Sequence, residues 1–299
     1  MKILSFGSMN IDNTYSVDEF VQPGETITAK NLSKFCGGKG LNQSIALASA
    51  GADVAHFGCV GEDGDILLDM LKSRGVNTDS VIKIDNITSG HAIIQVDSHG
   101  QNSILLYPGA NRRMTPELID RELEKYSCGD WLLIQNETNC LEYIMRAANK
   151  KGMKIAFNPS PMDGTVSTLP LEFVDLFLVN EIEGAAVTGK EITEEITAEF
   201  EKLFPNAAVI LTLGKKGSIF KSEKDMLFQP SYCGTVKDTT GAGDTYTGFF
   251  IANYINGVSP QECMRIAAMA STVQISRDGA AIAIPTKQEV LNALKNHCR

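Results

Sequence analysis

The sequence predicts an α/β protein: a doubly wound, mainly parallel sheet flanked by helices, with a small separate sheet beside it. Two observations carry the main sheet. Short apolar runs such as Trp131–Gln135, Leu176–Val179 and Ala208–Leu213 alternate with stretches of helical composition. Runs without polar alternation suit strands covered by helices on both faces, the usual setting of parallel sheets. The third observation is a break in the alternation. Strand-like segments within about 12–36 and 91–107 do not fit it, and they are assigned to the separate sheet, a lid or an interface. The whole chain, 1–299, reads as one domain.

The elements follow in order. Lys2–Gly7 is a short apolar strand ending in glycine. Thr26–Phe35 alternates loosely and runs into Cys36-Gly37-Gly38, after which Lys39–Ala50 has helical composition and stops at Gly51. Val54–Val60 is a strand, and Ile66–Ser73 a helix closed by Gly75. His91–Val96 and Ser103–Tyr107 flank the turn-forming segment DSHGQN and form a hairpin. Then come a strand at Trp131–Gln135, a helix at Leu141–Asn149, and strands at Lys154–Phe157 and Leu176–Val179. Helices at Glu181–Thr188 and Ala198–Phe204 precede a strand at Ala208–Leu213, and three helices near 242–256, 260–275 and 287–297 complete the chain.

Composition narrows the function classes. The chain has 299 residues, 43% hydrophobic and 21% charged, with a formal net charge of −9 and no Lys/Arg block, which disfavours nucleic acid as a partner. No apolar run approaches membrane-spanning length, and the N-terminal apolar run is too short for a secretory signal. The seven cysteines, Cys298 among them, are odd in number and contain no C-x-x-C pair, so reduced thiols and a cytoplasmic location are expected rather than a disulfide framework or a zinc site.

Two glycine-rich segments each open a helix. Asp238-Thr239-Thr240-Gly241-Ala242-Gly243-Asp244-Thr245 leads straight into an apolar helix. Open N–H groups and the helix dipole favour an anion there, and glycines let it approach closely. Asp244, about one turn in, is placed to hold a hydroxyl and take its proton during phosphoryl transfer. The alternative is a turn in which Asp244 merely caps the helix. Gly37-Gly38-Lys39-Gly40-Leu41-Asn42-Gln43 is equally open between a phosphate or polyol site and a plain strand-to-helix turn. Gly184-x4-Gly189-Lys190 resembles a phosphate loop, but it ends in Glu191 and closes a helix, so it reads as a C-terminal glycine cap. Asn180 and Glu183 follow an apolar strand and share a helical face; they suit Mg²⁺ held through water, or an Asn cap beside a solvated Glu. Thr212-Leu213-Gly214-Lys215-Lys216-Gly217 is a nucleotide-side turn or a hairpin.

Together and in this order, GSMNID at 7–12, GGKGLNQ, DTTGAGDT and RDGAA at 277–281 resemble the ribokinase-like carbohydrate kinases, the PfkB family. The resemblance covers nearly the whole chain. It implies a doubly wound domain with a β lid, often used for homodimerisation, and ATP and Mg²⁺ as cofactors. It implies Asp244 as catalytic base, with the N–H groups of Gly241, Ala242 and Gly243 as an anion hole. Asn10, Asp12, Gly38, Lys39, Asn42 and Glu137 would bind the sugar, Asn180, Thr212, Gly214 and Gly217 the nucleotide, and Asn180 and Glu183 the Mg²⁺ side. Asp238, Thr240, Gln274, Arg277 and Gly279 would form a K⁺ site, although Ala283 stands where a hydroxyl is common. Thr247 and Ala268 are two further departures from the pattern, the second beside the adenine. Within the family the chain is most similar to members that phosphorylate D-ribose. Kinases of other sugars, ketose phosphates (with Arg112 and Arg113 near the phosphate) or nucleosides, and a silent sugar-binding relative, are the alternatives.

Overall fold

The computed structural model describes residues 1–297, so Cys298 lies outside the described residues. The strands are β1 (Ile3–Phe6), β2 (Asn10–Ser16), β3 (Asn31–Gly37), β4 (Val54–Val60), β5 (Val81–Lys83), β6 (Gly90–Val96), β7 (Asn102–Tyr107), β8 (Trp131–Gln135), β9 (Lys154–Asn158), β10 (Leu176–Asn180), β11 (Ala208–Thr212), β12 (Gly217–Lys221) and β13 (Met226–Pro230). The α-helices are α1 (Lys39–Ser49), α2 (Asp65–Ser73), α3 (Pro116–Leu123), α4 (Leu141–Lys150), α5 (Glu181–Thr188), α6 (Thr193–Leu203), α7 (Ala242–Tyr254), α8 (Pro260–Gln274) and α9 (Lys287–His297).

Nine strands form the main sheet in the order β13-β12-β11-β10-β9-β8-β1-β4-β5. All neighbours from β11 to β5 pair in parallel, and β12 and β13 extend the edge antiparallel. The separate sheet is β3-β2-β6-β7. Its β2–β6 pair is parallel and its other two pairs are antiparallel.

Successive strand residues enter opposite cores, as the period of two requires. Ile3, Leu133, Leu176 and Leu178 pack with α1, α7 and α8 on one face. Leu4, Leu132, Ile134, Phe177 and Val179 pack with α3, α4 and α6 on the other. The contact of α1 with α7 is close enough to require glycine: a Cβ at Gly248 would lie 2.3 Å from Ala46 Cβ and 2.7 Å from Leu47 N. This packing fixes the two glycine-led helices side by side.

Several elements lacked a clear sequence signal. The strand β2 carries only Ile11 and Tyr15 as apolar side chains, and β5, α3, β12 and β13 are short or set in turn-rich stretches. The helix α6 begins at Thr193, five residues before its expected start, because its first turn is acidic and solvated. Thr212–Gly217 is the connection of an antiparallel pair, one of the two readings left open.

Candidate active site

The chain order reverses between β1 and β8, whose partners run outward in opposite directions. In open α/β sheets the crevice at the carboxyl ends of such strands is where ligands bind. Polar residues follow the apolar strands at that edge: Ser8 after β1, Glu137 after β8, Asn158 at the end of β9, Asn180 at the end of β10 and Thr212 at the end of β11. Lys39, Asn158, Asn180, Glu183, Thr212, Gly243, Asp244 and Thr247 line one cleft of about 230 Å³ there.

Asp244 sits in the first turn of α7 and is 6% exposed. Its two oxygens are clasped by two amides of α1: Asn42 Nδ2 donates to Oδ2 at 3.0 Å and Gln43 Nε2 to Oδ1 at 2.9 Å. Gln43 is itself held, donating to Asn158 Oδ1 at 3.0 Å and accepting from Gln135 Nε2 at 2.8 Å. Asn158 donates onward to Leu178 O at 2.8 Å. Asp244 is therefore more than a helix cap; a network spanning α1, α7, β8, β9 and β10 orients it.

The helix start beside it is open. Gly241 takes φ 78° at the N-cap, a conformation natural to glycine, and no side chain caps α7. Ala242 N–H is engaged by Thr239 O at 3.2 Å, so the anion hole expected from three N–H groups has that one turned into the loop. The N–H groups of Gly241 and Gly243 bond to no acceptor among the described residues.

The GGKG segment wraps around a second carboxylate. Glu137 Oε2 accepts from the Lys39 backbone N–H at 3.0 Å and from the Ser8 hydroxyl. Burial opposes the charge on the Lys39 side chain, but Asp244, Glu137 and Glu183 together outweigh it and raise the pKa above the ordinary lysine value. The ammonium thus stays charged between the two ends of the site. Asp12, on β2, is half-buried, and its carboxylate accepts no hydrogen bond among the described residues. Burial first, and the nearby Glu137 second, push its carboxyl up to about 6. Asn10 is held by Asn111, whose Nδ2 donates to Asn10 Oδ1 at 2.8 Å. Gly38 is the N-cap of α1, next to Lys39.

Asn180 and Glu183 form a reciprocal capping box on α5: Glu183 N–H donates to Asn180 Oδ1 at 2.8 Å, and Asn180 N–H to Glu183 Oε2 at 3.0 Å. The cap half of the plain reading holds. The solvated half does not, because Glu183 is buried and lines the cleft. Among the described residues no cluster of three His, Cys, Asp or Glu side chains is placed to hold a metal. Of the nucleotide-side set, Thr212 lines the cleft. Gly214 begins a short turn after β11, and Gly217 opens β12, paired with Pro230.

The remaining expected set also assembles. Asp238 accepts from Thr240 N at 2.8 Å and from Gly279 N at 3.0 Å, and Gln274 Nε2 donates to Thr240 O at 2.5 Å and to Gly279 O at 3.3 Å. Arg277 turns away to Glu289 at 2.6 Å.

Gln43, Asn158, Gln135 and Asn111 were not among the expected site residues. Gln43 stood inside a quoted motif; Gln135 and Asn158 are polar residues closing apolar strands, which is the signal that would have found them.

The model of the pfkB family of carbohydrate kinases matches residues 1–287. The chain belongs to this family. It is 33% identical over 298 residues to a ribokinase of Haemophilus influenzae, covering 97% of each chain. Its fold superposes on the ribokinase of Arabidopsis thaliana complexed with ribose and ATP, at a TM-score of 0.87 and 30% identity over 98% of both chains. The ribokinase of Thermotoga maritima gives a TM-score of 0.88 at 32% identity, with 98% of this chain and 99% of that one covered. The expected fold and family are thereby borne out, lid included.

Proposed function

We propose that this carbohydrate kinase transfers the γ-phosphoryl group of ATP to the 5-hydroxyl of D-ribose, acting as one domain over 1–299. The observation that carries the reading is Asp244: a buried carboxylate, oriented by two amides, beside the open N-terminus of α7 and in one cleft with Lys39. A sugar-binding relative without catalysis has no use for a base so placed. The ribokinase relatives support ribose, and the ATP complex of one of them supports the nucleotide.

The chemistry follows from the geometry. The sugar hydroxyl donates its hydrogen bond to Asp244 and gives up its proton as it attacks phosphorus. Asn42 and Gln43 keep both carboxylate oxygens aimed while charge moves. The N–H groups of Gly241 and Gly243 and the Lys39 ammonium oppose the negative charge on the transferring group, which is where electrostatic preorganisation acts. Asp12, Asn10 and Glu137 receive the other sugar hydroxyls; the Asp12 carboxylate, which only accepts and has no donor among the described residues, is suited to take their hydrogen bonds. Mg²⁺ would supply charge neutralisation on the phosphates. Glu183 and Asn180 fit an ion held through water, since the Glu183 carboxylate keeps Oε1 free of donors among the described residues while its backbone bond fixes it.

The lid supports a second statement. Leu32, Phe35, Ile93, Ile104, Leu105, Leu106 and Tyr107 are all exposed on this sheet, and β7 is exposed along its whole length. By register, Leu32, Ile93, Leu105 and Tyr107 share one face of the sheet and Phe35, Ile104 and Leu106 the other; exposed apolar strands of this kind are poor solvent surfaces and good interfaces. A second copy of the chain is the proposed occupant, giving a homodimer through the lid. No described helix is long and apolar enough to cross a membrane.

The deciding experiment is ATP turnover with Mg²⁺ across ribose, deoxyribose, fructose, other pentoses, ketose phosphates and nucleosides. Preference for ribose is expected. Preference for another substrate removes the sugar assignment and leaves Asp244 in its role. Sugar binding without ATP consumption refutes the kinase.

A further inference from the structure

Of the residues expected to surround K⁺, Asp238, Thr240, Gln274 and Gly279 meet in this chain, but their polar atoms are matched to one another. Both Asp238 oxygens accept backbone N–H groups, from Thr240 and Gly279. The Gln274 backbone carbonyl accepts from Arg277 N at 3.0 Å. The carbonyls of Thr240 and Gly279 share one donor, Gln274 Nε2, at 2.5 and 3.3 Å. A cation bridging these two oxygens would need the space that this nitrogen fills. Ala283 is buried and has no hydroxyl to offer, and its carbonyl accepts from Arg277 Nη1 at 3.4 Å.

We propose that the side-chain amide of Gln274 takes the place of a monovalent cation in this kinase, which therefore works without K⁺. The NH₂ end of an amide is positive and carries two hydrogens, one for each carbonyl. Gln274 is 0% exposed, so these bonds form away from competing water. The orientation is fixed by the same pair: turning the amide over would set Oε1 against two carbonyl oxygens. Oε1 in its present position is buried without a donor, a cost the two donated bonds offset. The position has a catalytic consequence. A Cβ on Gly241 would lie 3.6 Å from Gln274 Nε2, so the amide braces the loop 238–240 where it turns into α7 and the anion-binding N–H groups.

The test has three readouts, of which only the initial rate needs the substrate assignment. Initial rate and the melting temperature of the ligand-free protein are followed while choline chloride is replaced by KCl at constant ionic strength. Neither is expected to change, and crystals soaked in Tl⁺ are expected to show no anomalous peak at the Thr240 and Gly279 carbonyls. Gln274→Glu replaces the donor with an oxygen and should create a need for the ion. Its melting temperature, lowered in choline, should rise with KCl as a ligand that binds only the folded state demands, and its rate should become K⁺-dependent. A wild-type rate or melting temperature that rises with K⁺ but not with choline would overturn the proposal, as would a Tl⁺ peak. Either would mean that the amide turns Oε1 toward an ion. A folded Gln274→Glu protein indifferent to K⁺ would also overturn it. If that variant does not fold, the wild-type measurements decide.

Discussion

Replacing Asp12 by asparagine should stabilise the ligand-free protein while removing its affinity for sugar. Asp12 titrates at about 6 instead of 3.8, because burial and the Glu137 charge disfavour its ionised form and no donor compensates. A shift of about two units corresponds to about 3 kcal/mol. The sign follows from linkage. An acid whose folded pKa is raised adds nothing unfavourable below the unfolded value, and the folded state loses stability as pH rises through the folded one. At pH 8 the wild-type protein therefore carries the full cost, and the Asp12→Asn substitution relieves up to about 3 kcal/mol of it. His56 works in the opposite direction in the same window. Burial depresses its pKa to about 4, so the fold loses stability as pH falls from the unfolded histidine value toward 4. The wild-type profile between pH 4 and 6.5 is thus partly cancelled, and Asp12→Asn should unmask the steeper acid loss due to His56. The assay is denaturant unfolding of both proteins from pH 4 to 8, with and without ribose. A variant less stable than wild type at pH 8, or one that ribose protects as well as it protects wild type, would refute the reasoning.

Three further outcomes follow from the geometry. Gln43→Leu removes one donor from the Asp244 carboxylate; a hydrogen bond to a charged group is worth about 1.5–3 kcal/mol, so kcat should fall roughly 10- to 100-fold with little change in the KM for ATP. Gly248→Ala forces a methyl against Ala46 and the Leu47 backbone and should cost about 1–3 kcal/mol in unfolding experiments, with activity falling as α1 and α7 move apart. Ile104→Glu with Leu105→Glu should convert a dimer to a monomer in sedimentation velocity, since both side chains lie on the exposed lid strand; an unchanged dimer would place the interface elsewhere.

The main sheet was legible because its central strands are short apolar runs with polar ends, and the two glycine-led helices because nothing else explains their composition. Half of the lid was legible as the hairpin of β6 and β7; the other half showed only as an interruption, since β2 and β3 are too polar to announce pairing. The edge strands β12 and β13 were missed for a related reason: lying at the sheet border, they are only partly apolar. In the site, Asp244 and Lys39 could be named from their motifs. Gln43 could not be ranked above its neighbours, because its value lies in meeting Asp244 across 201 positions of sequence. The K⁺ expectation shows the opposite limit. The motifs single out Asp238, Thr240, Gln274 and Gly279, which hydrogen-bond to one another, yet whether the Gln274 side chain turns an oxygen or a nitrogen to its neighbours depends on a rotamer that sequence does not encode.

The central claim is that Asp244 takes the proton from the sugar. Asp244→Asn retains the shape and keeps one oxygen to accept from Asn42 or Gln43, so calorimetric ribose binding should persist while turnover with ribose, ATP and Mg²⁺ falls by about 10²- to 10⁴-fold. Turnover at the wild-type rate in a folded, ribose-binding Asp244→Asn protein would contradict the account.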